Sequence, residues 1–200
     1  DLSVIDRFYK GVLSAPPPLA RITFSSVEEI SLRNFETFKI IPSKKGGKLN
    51  LTLTPDFAIC SECEKEIMDP ANRRYHYPFT TCVNCGPRWA ITHTFPFERE
   101  NTSLEKFTMC KDCRREYEDP ADRRFHSQTN TCPTCGIPIF LSDHDNNAVP
   151  VAQENLFFHV AGLIKNGNII AIKNTGGYLL CCDAANESAI ERLRQRKNRP

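Results

Sequence analysis

The sequence predicts a mixed α+β chain of several small units arranged around a duplicated four-cysteine module. Three observations predict it. Eight of the ten cysteines fall into four C-x-x-C pairs. The first four of those eight each have a counterpart among the last four, 50 residues further on. Helix-period and strand-period apolar runs flank this block on both sides.

The elements follow in chain order. Residues 1–43 carry a helical pattern (Val4, Ile5, Phe8, Val12), a break at Pro16-Pro17-Pro18, and two strand-like runs, Ala20–Phe24 and Phe38–Ile41. Residues 44–54, with Lys44-Lys45-Gly46-Gly47, read as a linker. The cysteine module fills 55–140, its copies centred on 60–85 and 110–135, and the polar stretch 141–152 reads as a second linker. In the last segment, 153–200, Phe157, Val160, Leu163 and Ile164 repeat with helical spacing before an Asn166-Gly167 cap. Asn168–Lys173 and Tyr178–Asp183 read as strands joined at Gly176-Gly177. Asn186 is placed to cap a helix through Arg196 whose buried face is Ala189, Ile190 and Leu193. Two strands and two helices do not close a core alone. Together with a first residue other than Met, this leads us to expect a piece of a longer protein.

The composition, 40% hydrophobic and 25% charged, suits a soluble globular chain, and no apolar run approaches the roughly 18 residues of a membrane helix. Ten cysteines without a secretory signal point to metal in a reducing cytoplasm rather than to disulfides.

The spacings carry the chemistry. Cys60-x2-Cys63 is followed after 18 residues by Cys82-x2-Cys85, and Cys110-x2-Cys113 is followed after the same gap by Cys132-x2-Cys135. Asp69-Pro70, Arg73-Arg74 and His76 recur as Asp119-Pro120, Arg123-Arg124 and His126. Two cysteines three apart can aim both sulfurs at one tetrahedral ion about 2.3 Å away, and a second pair completes the shell. Gly86 and Gly136 follow the second pairs and permit a tight knuckle whose amides face the sulfurs. The first pairs run into helical stretches, Glu62–Met68 and Lys111–Glu118, which Asp-Pro ends. Four thiolates leave no position for a catalytic water, so two structural zinc ions are expected. Pairing within each copy is the simpler arrangement, and crossed pairing is the alternative. His76 and His126 are surplus to four-cysteine sites and are expected beside them; ligation or substrate contact is the other reading. Cys181-Cys182, adjacent on a strand, are expected as buried small residues rather than as a catalytic thiol.

The formal charge of +2 changes once metal is counted. A divalent ion with four thiolates carries about −2, so two sites bring the chain to roughly −2. That balance argues against nucleic acid as partner. The competing reading is a zinc-dependent RNA- or nucleic-acid-binding module with Arg73, Arg74, Arg88, Arg123 and Arg124 on phosphates.

With these residues in view, the chain resembles the HypF family of carbamoyltransferases over nearly its whole length. The resemblance rests on Pro55–Cys60, Asp69–Tyr75, Tyr77–Thr80, Cys85–Arg88, Phe107–Cys110 and Asp122–His126 within the eight-cysteine frame. DnaJ-type chaperones share four C-x-x-C pairs, but theirs carry a glycine repeat that Cys60–Cys63 and Cys110–Cys113 lack. Ile170–Lys173, Gly176–Tyr178, Asp183–Asn186 and Arg196–Pro200 resemble the YrdC/Sua5 fold, and residues 1–43 resemble the end of an acylphosphatase domain.

The resemblance implies a fragment made of an acylphosphatase-like tail, a double zinc-finger module and the start of a YrdC-like domain. It implies an enzyme that uses carbamoyl phosphate and ATP with Mg²⁺ to form carbamoyl-adenylate. The carbamoyl group would then pass to the C-terminal cysteine of a HypE-type acceptor, for the cyanide ligand of [NiFe]-hydrogenases. It assigns Lys173, Lys197 and Arg199 to nucleotide contacts, although cations at a helix C-terminus are also favoured by the dipole alone. It identifies no catalytic residue, and the fragment alone is expected to be inactive. The chain departs from the family pattern at Asn174 and Leu179, where glycine and histidine are usual, and at Gly136-Ile137, where Gly-Pro is usual.

Overall fold

The computed structural model describes residues 2–16, 20–31, 33–37, 40–41, 54–174 and 176–199, which fall into two compact units, Asp1–Thr52 and Leu53–Pro200. In the first, the Val4, Ile5, Phe8, Val12 periodicity forms helix α1, Leu2–Ser14. Its apolar side chains are not buried; Phe8 is 74% exposed. The Tyr9 hydroxyl donates to Ser25 Oγ at 2.9 Å. The strand expected over Ala20–Phe24 does not form, and among the described residues this unit has no strand at all. β-Branched and aromatic side chains favour extension, but a strand needs a neighbouring ladder to satisfy its amides. Pro17, Pro18, Phe38, Lys39 and Lys44-Lys45-Gly46-Gly47 lie outside the described residues.

The second unit opens with the duplicated module. Each first C-x-x-C pair starts an eight-residue helix, α2 (Ser61–Met68) and α3 (Lys111–Glu118). Both stop at the residue before proline, Asp69 and Asp119, whose extended backbone is what the proline ring enforces. The carboxylates then hold the following turn, Asp69 accepting from Ala71 N–H and Asp119 from Ala121 N–H, each at 2.9 Å. His76 and His126 close the turns in the left-handed region, with φ of 55° and 52°. Their amides reach back to the carbonyls of Ile67 and Tyr117, each at 2.9 Å, and so tie the turn to the helix. Between the copies, two short 3₁₀ turns (Trp89–Ile91 and Arg99–Asn101) bury Ile91, Thr102 and Leu104. Arg99 fastens this segment to the second copy, donating to the carbonyls of Phe107, Gln128 and Asn130.

Residues 141–152 contain an ordered turn in which Asp143 Oδ1 accepts from the amides of Asp145 and Asn147. Helix α4 (Leu156–Lys165) follows and ends as expected at Asn166 and Gly167, where φ of +80° favours glycine. Strands β1 (Ile170–Asn174) and β2 (Gly177–Cys181) form an antiparallel hairpin with Ile172 opposite Leu179 and Lys173 opposite Tyr178. Ile172, Tyr178, Leu179 and Leu180 remain exposed. Helix α5 (Glu187–Lys197) starts at Asn186, whose side chain accepts from Ala189 N–H, and buries Ala189. Among the described residues, no helix is long and apolar enough to cross a membrane.

Candidate metal centres

The four sulfurs of each copy converge. Cys60, Cys63, Cys82 and Cys85 form one group and Cys110, Cys113, Cys132 and Cys135 the other, so the cysteines pair within each copy and not across copies. In the first group the contacts are 3.7 Å (Cys60–Cys82), 3.8 Å (Cys82–Cys85) and 3.6 Å (Cys63–Cys85). In the second they are 3.7 Å (Cys110–Cys132), 3.7 Å (Cys132–Cys135) and 3.6 Å (Cys113–Cys135). A tetrahedron with metal–sulfur bonds of about 2.3 Å has edges of about 3.8 Å. The sulfurs thus stand where the corners of a zinc tetrahedron fall, and both sites are compatible with one zinc ion each.

The electrostatics of the donor set agree. Contacts with Cys82 and Cys85, followed by burial, push the Cys63 thiol up, while contacts with Cys63 and Cys82 pull Cys85 down to about 3. In the second group burial pushes Cys113 up. At Cys132 burial works upward too, but the amides of Cys135 and Thr134 outweigh it and bring the thiol to about 6. Sulfurs this close cannot all ionise without a counter-charge between them. A divalent cation removes that conflict by taking all four as thiolates.

The glycine knuckles are required by contact. Gly86 has φ of +90°, and a Cβ there would lie 2.4 Å from Thr81 Cγ2. At Gly136 a Cβ would lie 2.0 Å from the Tyr77 hydroxyl. Tyr77 is fully buried; its hydroxyl donates to Thr131 Oγ1 at 3.3 Å and accepts from Ile137 N–H at 2.9 Å. A side chain of the first copy thereby caps the knuckle of the second. Its counterpart, Ser127, is too short to do the same, and its buried Oγ has no partner among the described residues. Beside it Val83, Arg88, Phe97, His126 and Gln128 line an open cleft of about 260 Å³.

The residues that sequence reasoning missed are Glu66 and Glu116. Arg74 of the first copy, 2% exposed, donates through Nη1 and Nη2 to the Glu116 carboxylate at 3.0 and 2.6 Å, and through Nε to the Thr131 carbonyl at 3.0 Å. Arg124 of the second copy, 3% exposed, pairs with Glu66 and donates through Nε to the Thr81 carbonyl at 2.9 Å. Arg73 and Arg123 complete the arrangement by pairing with Glu116 and Glu66 at 2.7 and 2.6 Å. Burial alone would raise the Glu116 carboxyl, but the hydrogen bonds and charges of Arg74 and Arg73 win and hold it at about 2. Glu66 is lowered by the same balance with Arg124 and Arg123.

These contacts give intramolecular partners to the arginines that the nucleic-acid reading placed on phosphates. Arg74 and Arg124 are buried, Arg73 and Arg123 are committed to carboxylates, and Arg88 donates to the carbonyls of Cys82, Val83 and Pro87. His76 and His126 stand outside both sulfur groups. His76 stacks on Tyr75, with ring centroids 3.7 Å apart, and meets the edges of Phe157 and Phe158 from α4. His126 packs against Tyr117 and Phe125. Cys181 and Cys182 are half-buried and belong to neither group. Lys173 lies exposed on β1 with its ammonium 4.7 Å from the Tyr178 ring centroid. Lys197 ends α5 and Arg199 follows the left-handed Asn198, both exposed.

Comparison with known proteins agrees with this architecture. A model of the HypF finger matches residues 59–92 and again 109–142, and a Sua5/YciO/YrdC model described as telomere recombination matches 162–200. The carbamoyltransferase HypF of Synechocystis sp. is 48% identical over 200 residues, covering 100% of this chain and 26% of that protein. The probable carbamoyltransferase HypF of Methanocaldococcus jannaschii is 46% identical over 198 residues, covering 98% of this chain and 26% of that protein. A crystal structure of full-length HypF in its phosphate- and nucleotide-bound form superposes with a TM-score of 0.86 at 38% identity, covering 98% of this chain and 25% of that one. The chain spans about a quarter of the length of the relatives it matches.

Proposed function

From the premise that this chain is a HypF-family region, holding the HypF finger pair and the start of a YrdC-type domain, we propose that it serves a carbamoyltransferase of [NiFe]-hydrogenase maturation. Carbamoyl phosphate is hydrolysed to carbamate and phosphate in an acylphosphatase domain. Carbamate then attacks the α-phosphorus of ATP, releasing pyrophosphate and forming carbamoyl-adenylate in the YrdC-like domain. The C-terminal thiolate of a HypE-type acceptor takes the carbamoyl group and releases AMP. The work is cytoplasmic, since thiolate metal sites need a reducing compartment.

Within that reaction the finger module is a brace. Zinc in each sulfur group cross-links a knuckle to the start of a helix in a rigid unit, with no open coordination position for chemistry. Lys173, Lys197 and Arg199 are the cations offered to nucleotide phosphates, where positive charge follows charge movement during adenylation. The observation that carries this reading is the order of parts: two fingers with converged sulfurs, then the α4–β1–β2–α5 segment, in one chain. The test is carbamoyl-phosphate-dependent pyrophosphate release from ATP by the longer protein that holds this region. Lys197→Ala and Arg199→Ala should raise the KM for ATP at least about tenfold with zinc content unchanged, since a charge-assisted contact contributes about 1.5–3 kcal/mol. Unchanged kinetics in both variants, or salt-sensitive RNA binding in place of turnover, would overturn it.

A further inference from the structure

The arginine pairs do more than join the two copies. Arg73 lies between Cys63 and Cys82 in sequence, yet its guanidinium donates to Cys113 Sγ of the other copy, at 3.5 and 3.4 Å. Arg74 Nη2 reaches the same sulfur at 3.7 Å. In return Arg123 Nη1 donates to Cys63 Sγ at 3.0 Å, and Arg124 Nη2 reaches it at 3.9 Å. Both receiving sulfurs are fully buried, so no water competes for them. Glu116 and Glu66, one helical turn beyond Cys113 and Cys63, fix the guanidinium planes in place. The arrangement is reciprocal, as in a two-fold dimer, although it lies within one chain.

We infer that the two metal sites are coupled in trans: each copy's arginine pair stabilises the metal-bound thiolate of the other copy, so the two ions bind cooperatively. This rests on the reading of both sulfur groups as zinc sites. The coupling follows from where the arginines sit. Closing the first site fastens the loop between Cys63 and Cys82, and that loop carries Arg73 and Arg74 to Cys113. Closing the second fastens the loop that carries Arg123 and Arg124 to Cys63. Each four-thiolate site with its divalent ion has a charge of about −2, and two arginines less one glutamate return +1 to it. Groups that hydrogen-bond to metal ligands are typically worth 10–100-fold in metal affinity. Linkage makes the effect mutual: whatever the first ion gives the second, the second returns.

The test is cadmium-113 NMR of the full chain titrated with the metal, each resonance assigned through its cysteine β-protons, with native mass spectrometry counting ions per chain. The coupled sites predict that at one equivalent most chains hold two ions or none. Arg124→Met should shift the resonance of the Cys60, Cys63, Cys82, Cys85 site and weaken that site at least about tenfold, while Arg74→Met does the same to the other. Arg123→Lys and Arg73→Lys, at half-exposed positions, keep the charge and give the same site assignment with smaller shifts should the methionine variants fail to fold. One-ion chains in the proportions of independent sites, or a variant that perturbs only its own copy's resonance, would sink the coupling while leaving both metal sites standing. A chain that takes up no cadmium would sink the metal assignment, and the coupling with it.

Discussion

Tyr77 offers the most direct mechanical test of how the two fingers support each other. Its ring is fully buried, and its hydroxyl bridges Thr131 Oγ1 and the Ile137 amide of the other copy. Tyr77→Phe keeps the ring and removes both bonds, leaving the Ile137 amide without its acceptor. An orphaned buried donor costs about 1–3 kcal/mol; Ile137 is only half-buried, so about 1 kcal/mol is expected. Tyr77→Ala also removes the ring from a closed site, for which large-to-small aromatic changes cost about 3–5 kcal/mol. Ser127→Ala at the counterpart position should be neutral or stabilising, because it deletes a hydroxyl that has no partner among the described residues. Urea unfolding in excess zinc, followed by circular dichroism, reads all three. A phenylalanine variant within about 0.3 kcal/mol of the parent would refute the capping role, as would an alanine variant no worse than it.

Two further outcomes follow from the same geometry. Gly86→Ala sets a Cβ at φ +90° and 2.4 Å from Thr81 Cγ2, so a loss of about 2–4 kcal/mol is expected from strain and overpacking; a stability equal to the parent would contradict it. Glu116 is held at about 2, below its ordinary 4.5. A depressed carboxyl contributes stability that is full above the ordinary value and is lost as pH falls through the folded one. Glu116→Gln should therefore be less stable than the parent at pH 7 by urea unfolding in excess zinc; equal stability would argue against the clamp.

How much was legible beforehand depends on distance along the chain. The sulfur groups were readable because C-x-x-C spacing and the 50-residue repeat are local and periodic. The Asp-Pro helix ends and the Asn166-Gly167 and Asn186 caps were readable because a single residue's stereochemistry decides each. The Arg74–Glu116 and Arg124–Glu66 pairs span 42 and 58 residues, and no spacing rule reaches so far. One signal was present: Glu66 and Glu116 are themselves counterparts, each three residues after a cysteine, and an acidic duplicate alongside a basic duplicate points to an internal pair. Ala20–Phe24 was misread for the opposite reason, since strand propensity states a preference and a ladder must satisfy it.

The central claim is that two closed four-cysteine metal sites organise this region. The measurement that tests it most directly is zinc per chain by inductively coupled plasma mass spectrometry, paired with thiol titration on protein purified without added metal. Two zinc ions with only Cys181 and Cys182 reactive is the predicted result. Chains without zinc, or with disulfides in its place, would contradict it.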